Sequence, residues 1–81
     1  MAFIRRITLA ELEIKELTAI QEFKSKVNLT VVEMVNGEFD VFVLPTQEGH
    51  GGVRVTKSGN KDEIVADALK EFEDKNNVKL T

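Results

Sequence analysis

Two runs rich in β-branched and aromatic residues, NLTVVEMV (28–35) and EFDVFVL (38–44), are separated by nothing but Asn36-Gly37. No other feature restricts the fold as strongly. Asn-Gly suits a two-residue type I′ turn, because both of its positions need positive φ. Such a turn sets Val35 opposite Glu38, Met34 opposite Phe39, Val32 opposite Val41 and Thr30 opposite Val43. One face of the hairpin then reads Thr30, Val32, Met34, Phe39, Val41, Val43, which assigns it to the core. The other face sets Leu29 against Leu44, Val31 against Phe42 and Glu33 against Asp40.

GVRVTK (52–57) reads as a third strand, with Val53 opposite Val43 and Val55 opposite Val41, which keeps all four valines on the core side. Pro45 ends the second strand because it cannot donate to a ladder. NKDEIVADALKEFEDKNN (60–77) predicts a helix. Asn60 is its cap, Glu63 follows three residues later, and Ile64, Val65, Ala68, Leu69 and Phe72 form one apolar stripe. Asn76 and Asn77 end it, and VKLT is either a docked tail or a frayed one.

The first third is less regular. Thr8 and Glu11 form a capping-box pair, and Leu9, Leu12, Leu17, Ile20, Phe23 and Val27 share one helical face. Glu13 and Glu16 fall on that face too, and Ile14 falls off it. A helix within Thr8–Lys26 is expected; the alternative is a short strand near Phe3–Ile7, or LEI extended, with a helix from Lys15. The expected fold is α+β, with a two-layer, three-stranded antiparallel meander sheet and two helices on one face, in the order α-β-β-β-α. With 81 residues it forms a single domain.

The glycine-rich EGHGG (48–52) invites a phosphate-loop reading. Phosphate-cradling loops run into a helix N-terminus, whereas this one runs into a strand, so a turn is expected. His50 has Glu48 as its nearby ligand type, which falls short of a three-ligand metal site, and it is expected to be exposed. There is no cysteine, hence no disulfide or thiolate chemistry, and no nucleophile–base–orienter set is recognisable. The acids of EFEDK read as a solvated helix face. No cofactor or metal is expected, and a small enzyme is the third and least favoured reading. The start of the chain lacks the apolar run of a secretory signal, no window is apolar enough to span a membrane, and a cytoplasmic setting is expected.

The α-β-β-β-α order is similar to that of the double-stranded RNA-binding domain, and TKSGNKDEIVADAL resembles its junction between third strand and second helix. That resemblance implies phosphate-gripping lysines at the helix start. Here Lys61 is followed by Asp62 and Glu63, so the resemblance is one of topology and not of binding residues. The net charge is −3, and the basic residues are scattered. Binding of nucleic acid through Arg5, Arg6, Lys24, Lys26, Arg54 and Lys57 is the secondary expectation.

The primary expectation concerns the outer side of the sheet. Leu29, Val31, Phe42 and Leu44 make an apolar quartet there, with Glu33, Asp40 and Arg54 as a charged rim. Either the segment AFIRRI folds across this patch, or a partner does. The functional expectation is a small non-enzymatic interaction module, binding a protein partner or a second copy through that face. Its size, acidity and lack of recognisable chemistry suit an accessory or inhibitor protein of a phage or bacterium.

Overall fold

The computed structural model describes the backbone of residues 4–17, 22–46 and 48–80, and the side chains of 6–15, 25–46 and 48–80. Five strands and one helix are found among them: β1 (Ile4–Leu17), β2 (Glu22–Met34), β3 (Glu38–Pro45), β4 (Val53–Ser58), α1 (Lys61–Asn76) and β5 (Lys79–Leu80). The strands form one antiparallel sheet in the order β4-β3-β2-β1-β5, which curls into half a barrel. The expected three-stranded sheet with two helices is therefore incorrect, and with it the topological likeness to the double-stranded RNA-binding domain.

The error lies in the first third, where the predicted helix is a strand. From Glu11 to Lys15 the sequence reads E-L-E-I-K, a strict alternation that sends Leu12 and Ile14 to one face and the charges to the other. In β2 the same period runs upstream of the predicted strand: Val27, Leu29 and Val31 are buried, while Lys26 and Asn28 are exposed. Glu13 spoils a helical stripe because the period is two and not 3.6, which sends it to the face opposite Leu12 and Ile14. Residues 18–21 of the predicted helix lie outside the described residues. AFIRRI does not fold over the sheet, since from Ile4 onward it is β1, paired with β2; Phe3 lies outside the described residues.

The second correction is the hairpin register. Val31 pairs with Val41, Val32 with Asp40 and Glu33 with Phe39, one position away from the expected pairing. The cause is the turn. Gly37 has φ 91° but Asn36 does not have positive φ, so the two-residue type I′ geometry is not formed. Instead the Gly37 N–H donates to the Met34 carbonyl at 3.2 Å, as in a type I turn closed by a left-handed glycine. That is the three-residue alternative open to such sequences. The Asn36 carbonyl Oδ1 reinforces it by accepting the Glu38 N–H at 3.0 Å.

A slip of one residue exchanges the two faces of a strand. Leu29 and Val31 consequently enter the core with Val27, Phe39, Val41 and Val43. Thr30, Val32 and Met34 turn to the other side. The pairing of β3 with β4 is as expected, Val41 with Val55 and Val43 with Val53.

The helix matches its sequence signals. The Asn60 side chain caps it by accepting the Glu63 N–H at 3.1 Å. Ile64, Ala68 and Phe72 are buried against the sheet, and Val65 and Leu69 pack beside them. Asn77 adopts the left-handed conformation (φ 53°), and the Val78 N–H returns to the Glu73 carbonyl at 3.1 Å. The chain is thereby redirected so that Val78 is buried and β5 pairs with β1 at Ile14 and Lys15. The tail is docked.

α1 lies on β3 and β4 and reaches β5. It shields the inner face of one half of the sheet only.

Candidate binding surface on the outer face of the sheet

The register defines which side chains meet on the face opposite α1. Across the strands, Leu9, Thr30, Phe42 and Arg54 form one row, and Ile7, Val32, Asp40 and Thr56 form the next. A third row runs Glu11, Asn28, Leu44. Leu9 is 74 % exposed, Ile7 53 % and Leu44 46 %, high values for large apolar side chains lying together. A groove of about 470 Å³ follows Leu9, Glu11, Asn28, Thr30 and Leu44.

Charged pairs flank this strip on both sides. Toward β4, Arg54 donates to Asp40 at 3.2 Å, and its guanidinium lies 5.2 Å from the centre of the Phe42 ring. The Thr56 hydroxyl also donates to Asp40. That hydrogen bond, aided by the Arg54 guanidinium and opposed by partial burial, holds the Asp40 carboxyl below its ordinary value. Toward β1, Lys26 and Glu11 form an exposed pair at 3.3 Å.

Of the residues singled out in the sequence, Phe42, Leu44, Asp40 and Arg54 share this face. Leu29 and Val31 do not; they are buried in the core. Glu33 stands opposite Phe39 and Arg6, on the side of the sheet that α1 occupies. Ile7 and Leu9 take their place in the outer strip. A helical reading of the first third hid both, although the alternation from Ile7 onward puts them on the face of Glu11 and Glu13.

The EGHGG loop is a structural anchor. The Gly51 N–H donates to the Asn76 side-chain oxygen at 2.8 Å, and the Asn76 amide nitrogen returns to the Gly51 carbonyl at 3.0 Å. Lys75 donates to the Gly52 carbonyl at 2.9 Å. At Gly52 an added Cβ would stand 2.9 Å from a Leu44 methyl, so a larger residue there would push the Leu44 side chain aside. His50 is half-buried and meets the Phe72 ring edge-on at 6.5 Å, not exposed as expected. A second cleft, of about 460 Å³, lies at the helix C-terminus between Lys15, Glu73, Asp74 and Lys79 and mixes both signs of charge.

Among the described residues there is no group of three or more His, Cys, Asp or Glu placed to hold a metal ion, and no helix long and apolar enough to cross a membrane. No protein-family model, curated protein or solved structure matches the chain.

Proposed function

We propose that the chain is a non-enzymatic protein-interaction module that engages a partner protein through the outer face of its sheet. The observation that carries this reading is the exposure of Ile7, Leu9 and Leu44 beside half-buried Phe42, on a face that no described element covers. Protein interfaces combine a dry apolar centre with a polar rim. Here the strip is the centre, and the Asp40–Arg54 and Glu11–Lys26 pairs are the rim that orients a partner. An accessory or inhibitor role in a cytoplasmic setting fits a small acidic chain without cysteine.

Nucleic acid is the weaker alternative. Arg54, Lys26 and Lys57 are each already held by a carboxylate, from Asp40, Glu11 and Asp67 respectively. Three of the six basic residues offered for phosphate are thus partly neutralised.

Selection of peptides from a displayed random library on the immobilised protein tests the main reading. Selected peptides should bind the native chain and lose at least roughly ten-fold in affinity on Leu9→Asp and Leu44→Asp, as truncation of an interface anchor does. Both variants should keep the native far-UV circular dichroism. Peptides that bind the variants as well as the native chain would show that this face is not the site.

A further inference from the structure

The two edges of the sheet are unlike. β4 is short, six residues, and carries Arg54, Lys57 and Ser58. β1 is 14 residues long, and β5 covers its open side only at Ile14 and Lys15. Along positions 4–13 no described strand pairs with that side. Every second residue there turns its N–H and C=O away from β2, over a length of roughly 30 Å.

Positions 6–11 are also bare on both faces. Arg6, Ile7, Thr8, Leu9, Ala10 and Glu11 are all exposed, because α1 lies over β3 and β4. Soluble proteins blunt such edges with proline, lysine, bulges or a covering element. β1 has an irregularity between Ile4 and Arg6, but beyond it neither proline nor lysine interrupts the edge before Lys15. A segment so exposed, with three apolar residues, offers half of a ladder to another strand.

The charge along β1 indicates what that strand is. Arg5 and Arg6 lie near its start, and Glu11 and Glu13 toward its other end. Two copies of this strand laid antiparallel bring the basic end of each beside the acidic end of the other. Laid parallel, they would set like charges together, which is destabilising.

We infer that the partner at this edge is a second copy of the chain: two β1 strands pair antiparallel over positions 6–10, beyond the irregularity at Ile4/Arg6, about a two-fold axis near Thr8. In that register Ile7 of each copy meets Leu9 of the other on the outer face. Thr8 meets Thr8 on the inner face. β5, docked at Ile14, marks the end of the slot. The interface is isologous, as two-fold dimers require. It also joins the two outer strips into one surface, so the inference rests on the reading of that face as the binding surface and enlarges it.

Sedimentation velocity and hydrogen exchange test this on the full chain. The native protein should sediment as a species of twice 9.1 kDa as concentration rises from micromolar to millimolar. Arg5→Glu/Arg6→Glu leaves only acidic charges at positions 4–13, and Glu11→Lys/Glu13→Lys leaves only basic ones. Each variant alone should dimerise at least roughly ten-fold more weakly, as like charges set together at an interface do. Their equimolar mixture should regain a heterodimer. Amides within 4–13 of the native chain should gain protection with concentration while those of 61–76 do not change, a result that needs no variant to fold. A native chain monomeric throughout, or amides of 4–13 indifferent to concentration, overturns the inference. So does a dimer that survives both charge variants but is lost in Leu44→Asp. In that last case the outer face still stands as an interface, whereas a charge-sensitive dimer that yields no Leu44-dependent peptides would leave the edge standing and remove the face.

Discussion

Asp40 shows how much one residue on the outer face depends on its register. Paired across from Val32 and Thr56, it sits within reach of the Thr56 hydroxyl and diagonal to Arg54. Its side chain retains 15 % exposure, so these partners replace water as its main solvation. Its pKa is lowered from 3.8. Between that ordinary value and the depressed one, the unfolded chain holds a proton that the folded chain does not, so acidification favours unfolding. The stabilisation is complete above the ordinary value and is lost as pH falls through the depressed one. Asp40→Asn should therefore cost about 1.5–3 kcal/mol at neutral pH, the range for losing a hydrogen bond to a charged group. The gap between native and variant should close along the acid limb. Denaturant titrations at neutral pH and at several acid values measure it; a gap independent of pH would mean that the carboxylate is not engaged as described.

At the level of elements, legibility followed how local the signals were. α1 was readable because cap, stripe and terminus all lie within its own sequence, from Asn60 to Asn77. β1 was not, because leucine, glutamate and lysine favour helices locally, and only pairing with β2 makes their alternation decisive. The loop before β4 was readable as a turn but not as an anchor, since its partner, Asn76, lies 25 residues away. That side chain holds the Gly51 N–H, the Gly51 carbonyl and the Phe72 carbonyl. Asn76→Ala strands partly buried groups and should cost about 1–3 kcal/mol, with faster hydrogen exchange at the Gly51 amide. Lys75→Ala removes one exposed contact to Gly52 and should stay within roughly 0.5 kcal/mol, as surface substitutions do. Equal effects of the two variants would mean that the Asn76 amide is not the clamp.

For the whole molecule, one backbone choice at Asn36-Gly37 decides which residues are core and which are surface. The sequence allows either a two-residue or a three-residue loop, and the choice between them depends on the rest of the sheet. With β1 added beyond β2, the odd-numbered residues of β2 pack with Leu12 and Ile14 on the side that α1 closes. That sheet exists only once the first third is a strand, so the two errors in the expected fold have one origin. Phe42, Leu44, Asp40 and Arg54 share one face in either register, because the β3–β4 pairing is independent of the turn. Leu29 and Leu44 now separate the two registers. In the two-residue register they are neighbours on one open face, and an aspartate at either position should have the same mild effect. In the structure Leu29 is buried at 9 % exposure and Leu44 is not. An unpaired carboxylate at 29 would have to be buried or force the core apart. For a chain with total stability on the order of 5–15 kcal/mol, Leu29→Asp should leave little folded protein, whereas Leu44→Asp should melt close to the native chain. Thermal denaturation followed by circular dichroism distinguishes them. If both variants fold alike, Leu29 belongs on the outer face, and the binding strip must be redrawn around it in place of Ile7 and Leu9.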